Sequence, residues 1–375
     1  GCSLKSDSGD AAGGGAIGVQ ANDKGAADKL GFPIVATKNT TRVAGQDPAA
    51  DAAGVASALF PSVSSASRPP AVLLVDKGDW QGAIAAGALV GAPVHAPILL
   101  SDGDSLPNVT QETLKRLKPR GSNLTKGAQV VLIGDAPPAP DGVKSTALRG
   151  GDPYTRAGAI DRFATAARGK PSRDVIVASG EKGDFAMPAA AWAARSGDAV
   201  LFVKPDSIPA PTKTALTRHQ KPNIYILGPV GAVGTGVEKQ LGKFGKVRRI
   251  AGPSATENSV AFAEFHSGSF GWGPIAPGRN YTVANSSRPA DAAAGAGLGS
   301  NGIFAPLLVT DTADQLSHAL EGFFLNVQPG YEGGDPSNAV YNHVWILGDA
   351  KALSPAAQGR IDEATELVPV DAAPK

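Results

Sequence analysis

The 375-residue sequence has one cysteine, one methionine and five histidines. A single thiol excludes an internal disulfide framework and a cysteine-rich zinc site. His95, His219, His266, His318 and His343 are scattered and show no H-E-x-x-H or related ligand spacing, so no metal is expected. No G-x-S-x-G elbow is present, which removes the usual setting of a serine nucleophile. Gly228 to Gly236 is glycine-rich but lacks both the G-x-G-x-x-G order and a G-K-[ST] ending, so no nucleotide cofactor is called for. The formal charge is only +1, leaving no global field to recruit nucleic acid. No segment is long and apolar enough to span a bilayer.

Repetition is what the sequence does have. Val131-Leu132-Ile133-Gly134-Asp135-Ala136, Tyr225-Ile226-Leu227-Gly228-Pro229-Val230 and Trp345-Ile346-Leu347-Gly348-Asp349-Ala350 are variants of one phrase. A second shared phrase precedes each: Ala96 to Leu100, Ala199 to Val203 and Ala305 to Val309. A period of about 100 residues is too long for a solenoid and suits one small domain per copy.

Each copy reads strand, helix, strand, helix, strand, helix, strand. Asp47-Pro48 and Asp152-Pro153 carry helix-start chemistry, and Ser254 with Glu257 has capping-box spacing. Short apolar runs at Val72 to Val75, Val175 to Ala178 and Tyr281 to Ala284 have strand length. Alanine-rich stretches around Ala83 to Val90, Ala186 to Ala194 and Ala290 to Leu298 read as the helices that follow them. The expected fold class is α/β: three tandem parallel-sheet repeats, Rossmann-like or flavodoxin-like, arranged as a pseudo-trimer. The expected division is a tether at 1–31, then repeats at 32–145, 146–247 and 248–375. The third repeat carries two loop insertions. Glu366 to Val370 resembles another opening strand and is expected to finish the sheet of the third repeat.

Cys2 follows Gly1 and precedes a stretch rich in Gly, Ala, Ser, Asp and Lys, as in a processed bacterial lipoprotein. Acyl chains on that thiol would give the only membrane attachment. A chance cysteine in an unstructured N-terminus is the plainer alternative.

The order of these phrases resembles the type 2 cell-wall-binding repeats of Gram-positive surface proteins. Thr41 to Ala53, Trp80 to Leu100 and Val130 to Ala136 follow the family's opening phrase, second helix start, A-P-I-L-L strand and closing I-L-G turn, and copies two and three keep that order. The resemblance implies a non-catalytic, extracytoplasmic, monomeric protein with internal pseudo-threefold symmetry. It would dock onto an anionic cell-wall polysaccharide or teichoic-acid-like polymer. The family's Arg-Tyr after the capping position is replaced by Pro48-Ala49 and Pro153-Tyr154, and copy three has only Ala255-Thr256, so the fold carries over better than the ligand.

Candidate ligand-binding residues follow from position. Arg42, Arg149 and Arg249 fall at the ends of the opening strands, where a guanidinium beside a helix N-terminus can hold an anion. Pairing with a neighbouring carboxylate is the structural alternative. Lys77 and Lys182 align through Lys-Gly-Asp-aromatic. Trp272 and Tyr331, in the two insertions of copy three, can either stack on sugar rings or plug their loops onto the body. A solute- or signal-binding surface lipoprotein, with a cleft between α/β units, is the competing reading.

Overall fold

The computed structural model describes residues 34–370 except 44, 274–275 and 333–335. The 1–31 tether with Cys2 lies outside the described residues, as does part of the acidic turn near Tyr331. In chain order, the first unit comprises β1 (Ile34–Ala36), β2 (Thr40–Val43), α1 (Pro48–Leu59), β3 (Val72–Asp76), α2 (Trp80–Ala86), β4 (Ile98–Ser101), α3 (Asn108–Leu117) and β5 (Val130–Ile133). The second comprises β6 (Ser145–Leu148), α4 (Pro153–Arg168), β7 (Asp174–Ser179), α5 (Gly183–Ala186), α6 (Pro188–Ser196), β8 (Ala199–Val203), α7 (Ala210–Arg218), β9 (Asn223–Leu227) and α8 (Thr235–Leu241). The third begins with β10 (Lys246–Ile250), α9 (Ala255–Glu264), β11 (Asn280–Asn285), α10 (Pro289–Ala294), β12 (Leu307–Thr310) and α11 (His318–Asn326). It ends with β13 (Gly330–Tyr331), β14 (His343–Leu347), α12 (Pro355–Ala364) and β15 (Val368–Pro369).

The helix starts form as their capping chemistry requires. Asp47 accepts from the Ala50 amide at 3.0 Å, and Asp152 accepts from Tyr154 and Thr155 at 2.9 and 3.0 Å. Ser254 and Glu257 exchange reciprocal bonds, each 3.2 Å. Within the strands, the two-residue period divides the core. Leu73 and Val75 face the shared interior, whereas Val72 and Leu74 pack outward on Leu114 and Leu117 of α3.

Three parallel sheets result, ordered β4-β3-β5-β6, β8-β7-β9-β10 and β12-β11-β14-β2, with β1 added antiparallel outside β2. Each sheet takes its fourth strand from the unit that follows. For the third unit, that unit is the first: β2 lies parallel to β14, from Val344 opposite Thr40 to Leu347 opposite Val43. The chain therefore closes on itself as a ring.

This closure corrects the expectation for Glu366 to Val370. β15 does not finish the third sheet and pairs instead with β13 in a separate two-stranded ribbon. The reason is chemical. The contested place lies between β14 and β1, inside a sheet, and Pro369 has no N–H to donate there. All four residues of β2 are buried in that position.

Packing follows the same cyclic rule. α2 lies on α4, α5 on α9 and α10 on α1, while α2, α6 and α10 meet one another at the centre. The abundance of alanine has its purpose here, since small side chains let three helices converge. A Cβ on Gly299 would stand 2.3 Å from the Ala191 carbonyl oxygen, closer than any side chain can approach.

Candidate functional site

Each junction of the ring is built around the closing glycine of the repeated phrase. Gly134, Gly228 and Gly348 have φ of 60°, 135° and 91°, conformations that favour glycine. Their amides donate to the carbonyls of Leu148, Ile250 and Val43 at 3.0, 2.9 and 3.0 Å, tying each turn to the strand supplied by the next unit.

The three sequence-selected arginines converge on these turns. Arg42 donates from Nη1 to the Gly348 and Asp349 carbonyls at 3.0 and 2.9 Å, and from Nε to Gln358 Oε1 at 2.8 Å. Arg249 donates to the Gly228 and Val233 carbonyls, both at 2.8 Å, and pairs with Glu238 at 2.7 Å. Arg149 donates to the Gly134 carbonyl. Arg149 stands two residues later in register than the other two, because Leu148, Ile250 and Val43 are the equivalent strand-end residues and Arg42 and Arg249 precede theirs while Arg149 follows its own. It reaches the same carbonyl because it lies beyond the end of its strand. Arg42 is buried, Arg249 half-buried and Arg149 exposed. Each guanidinium thus satisfies the carbonyl left over by a tight turn.

A second repeated position escaped the sequence reading. Gly45, Gly150 and Gly252 each leave room for the first helix, and six residues on stand Asp51, Arg156 and Asn258. On the preceding unit, one equivalent position just ahead of α10, α2 and α5 is held by Arg288, Asp79 and Lys182. Arg156 Nε lies 2.7 Å from Asp79 Oδ2 across the first junction, with both side chains nearly buried. Across the ring-closing junction, Arg288 Nη2 lies 2.7 Å from Asp51 Oδ2, and its Nε lies 2.7 Å from Asp291 Oδ2. Among the described residues, the junction between units two and three has no ion pair of this kind; Asn258 Nδ2 donates to the Phe185 carbonyl at 3.3 Å. The Gly-x5 spacing was visible in the sequence, but its three different residues concealed a common role.

Burial governs the acids here. It lifts the Asp79 carboxyl above its ordinary value against the pull of the Gly82 amide and Arg156. Asp51 is raised well above the usual range by burial and then by Asp291, while Arg288 pulls the other way. Asp291 is pushed up to about 6 by burial, again opposed by Arg288.

Lys77 and Lys182 are not structural equivalents. The amides of Lys77, Gly180 and Ser286 make the corresponding bonds to Ser101, Val203 and Thr310, so Lys182 matches Asp79 rather than Lys77. The Lys-Gly-Asp-aromatic match misleads because in unit two the phrase begins two residues later and runs into the helix: the turn is 77–79 in unit one and 180–182 in unit two, so Gly183, Asp184 and Phe185 are already helical. Lys77 Nζ pairs with Asp102 at 2.8 Å and Asp47 at 3.4 Å. Lys182 is exposed and makes no ion pair among the described residues.

Of the insertion residues, Trp272 is 5% exposed and packs edge-on to Trp192 with centroids 5.3 Å apart. Its neighbour Phe270 is fully buried and stacks on Tyr225 at 3.6 Å. The first insertion is therefore plugged into the body. Tyr331 is half-buried in the ribbon of β13 and β15.

Two histidines are integrated in the fold. His219 bonds Asp161 at 3.0 Å and the Ser172 carbonyl at 2.8 Å. Burial opposes its charge, yet Asp161 holds its pKa above the ordinary value. Burial pushes His343 down to about 4. Among the described residues, no group of three or more His, Cys, Asp or Glu is placed to hold a metal, and no helix is long and apolar enough to cross a membrane. A cavity of about 460 Å³ opens at the carboxyl ends of β3, β4 and β5, with Asp76, Asp79, Asp104 and Asp135 around Arg156.

Comparison with known proteins agrees with this architecture. Residues 148–238 match the family model described as Cell wall binding domain 2 (CWB2). The match runs from the end of β6 into α8, one unit of the ring. Among solved structures, Cwp8 from Clostridium difficile superimposes with a TM-score of 0.65 at 20% identity, covering 87% of this chain and 52% of that one. Cwp6 from the same organism gives 0.69 at 18% identity, covering 88% of this chain and 48% of that one. At these identities the likeness is one of fold, and the chain spans about half the length of these structures. No curated protein matches the sequence. The resemblance to type 2 cell-wall-binding repeats and the α/β repeat fold are both borne out.

Proposed function

We propose that this chain is a non-catalytic protein of the cell envelope whose three-unit ring binds an anionic cell-wall polysaccharide or teichoic-acid-like polymer. The observation that carries the reading is the wall-binding family match over 148–238, on a unit that the ring presents three times. Arg149 and Lys182 are the candidate cations with exposed side chains, and both lie within the matched unit. Lys77, half-buried, also lies just beyond a strand's carboxyl end, and Tyr331 is a separate half-buried candidate in the β13–β15 ribbon. Arg42, Arg249 and Trp272 contribute by holding the turns and the insertion in shape. Lipid on Cys2 would keep the ring at the outer face of the membrane, a reading supported by the polar, small-residue stretch that follows the only cysteine.

Sedimentation with purified walls tests the proposal. Retention on intact walls, its loss on walls stripped of anionic polymer, and weaker retention of an Arg149→Glu, Lys182→Glu double variant are expected. Equal retention on stripped walls would count against it. Metabolic labelling with a fatty acid, compared between the native chain and Cys2→Ala, tests the anchor. The solute-binding alternative draws on the 460 Å³ cavity beside the first junction. A small molecule that raises the melting temperature and is lost with Asp76→Asn would favour it.

A further inference from the structure

A second cavity, of about 380 Å³, lies at the opposite ends of the strands from the glycine turns, between the sheet of unit two and the first insertion of unit three. Arg173, Lys246 and Arg248 line it, together with Asp174, Asn223 and Ser267. Its volume is at the lower end of the range for small-molecule sites, about 300–1,000 Å³.

Three features make it more than a basic surface. Lys246 and Arg248 are two residues apart on β10, so both side chains leave the same face of the sheet edge. Arg248 Nη1 donates to Ser267 Oγ at 2.7 Å, which fixes one guanidinium against the insertion. The insertion is itself anchored by the burial of Phe270 and Trp272. Lastly, the three cations are exposed and none of them is ion-paired among the described residues. Asp174, the only acid in the lining, instead accepts from Asn223 Nδ2 at 2.8 Å.

Repetition of the fold does not explain this grouping. Strand register makes Pro70, Lys144 and Thr146 the counterparts in unit one, and Arg279, Asn39 and Thr41 those in unit three. Each of those units keeps one cation of the three, and Arg279 is engaged by the Trp272 carbonyl at 2.9 Å. Like charges gathered in one place repel unless an anion is shared between them. The cluster is therefore a particular of the second junction.

We infer that this cavity is a binding site for a phosphomonoester, of the size of a sugar phosphate. Two guanidinium forks and an ammonium offer more donors and more charge than one carboxylate can use. Against Asp174 they leave a net charge of +2, which matches the near-dianion a phosphomonoester carries at neutral pH. The site faces away from the glycine turns, and the inference does not depend on the wall-binding reading.

Calorimetric titration of the full chain with glucose 1-phosphate, inorganic phosphate and glucuronate tests it. Saturable binding of glucose 1-phosphate is expected, about tenfold or more weaker in Arg173→Glu and in Lys246→Ala, and unchanged in Lys144→Ala. Arg173 and Lys246 are exposed, and equal melting temperatures would show that both variants fold. Absence of saturable binding to the native chain, equal binding by Arg173→Glu, or glucuronate binding as tight as glucose 1-phosphate would overturn the assignment. Wall retention is measured separately with the Arg149 and Lys182 variant, so either proposal can fail without the other.

Discussion

Arg156 approaches Asp79 to 2.7 Å across the first junction of the ring, and at the ring-closing junction Arg288 approaches Asp51 to the same distance with the charges exchanged between the two sides. The geometry of the position is conserved by the fold while the sign is not. Each unit thereby acquires a preferred neighbour, because a like-charge meeting at such a buried place would be costly. At the middle junction Lys182 and Asn258 hold the equivalent positions without an ion pair among the described residues, and Asn258 donates to the Phe185 carbonyl instead.

Removing one member of the first pair strands the other. Arg156→Leu leaves the Asp79 carboxyl buried without its cation, and should cost about 3 kcal/mol in urea unfolding. An Asp79→Asn, Arg156→Leu double variant should recover a substantial part of that loss. Additive losses would show that the two groups act separately.

Acidity at the ring-closing junction has a definite sign. Asp291 titrates near 6 in the fold, above its unfolded value of 3.8, and Asp51 is raised as well. The folded state then binds more protons than the unfolded state between those values, so stability falls as pH rises from about 4 through 6. Asp291→Asn removes one charge of the crowded pair and leaves Asp51 to Arg288. The variant should be more stable than the native chain at pH 7.5, by about 1 kcal/mol, and the advantage should vanish near pH 4. Melting curves across that range decide it.

Ring closure depends on Arg42, which is 4% exposed and bonds three acceptors, two in the turn after β14 and one on α12. Arg42→Ala should cost about 3 kcal/mol and lower hydrogen-exchange protection in β14 and α12 before it does so in the second sheet. Uniform loss of protection would mean that the ring opens only as a whole.

The central helices set a steric limit. Gly299→Ala would force a methyl group to within 2.3 Å of the Ala191 carbonyl oxygen and should destabilise by about 2 kcal/mol. Gly151→Ala, where open space surrounds the added methyl group, should be close to neutral and serves as the control.

Trp272 separates the two readings of the insertion. Its ring meets Trp192, and Arg195 lies 5.4 Å over its face. Trp272→Ala should lower stability by about 3 kcal/mol while leaving wall retention at low temperature unchanged. Loss of retention in a variant that is still folded would make it a contact residue.

Helix starts at Pro48, Pro153 and Ala255 were legible because their signal is local: a capping side chain meets amides two or three residues away. Strands β3, β7 and β11 were legible as short apolar runs between turns. Arg42 and Arg249 hold equivalent places in the opening strands and Arg149 lies two residues later, but the glycine-turn carbonyls they bond are brought to them by strand pairing. Gly348 and Arg42 are separated by 306 positions. Lys182 was misaligned with Lys77 because a repeated tetrapeptide outweighed a two-residue shift relative to the strand end that only the hydrogen bonding reveals. Arg173, Lys246 and Arg248 belong to no repeated phrase and were invisible until the sheet edge brought them together.

By itself, the sequence determined the element order, the triple repetition and the placing of small residues in the second helix of each copy. These depend on period, capping and side-chain size, which act over a few residues. Tertiary structure alone decided that the N-terminal strand, and not the C-terminal one, completes the third sheet. Both segments have strand character, and the choice rests on whether every backbone N–H in an interior strand finds a partner, a condition that Pro369 cannot meet and Thr40 to Val43 can.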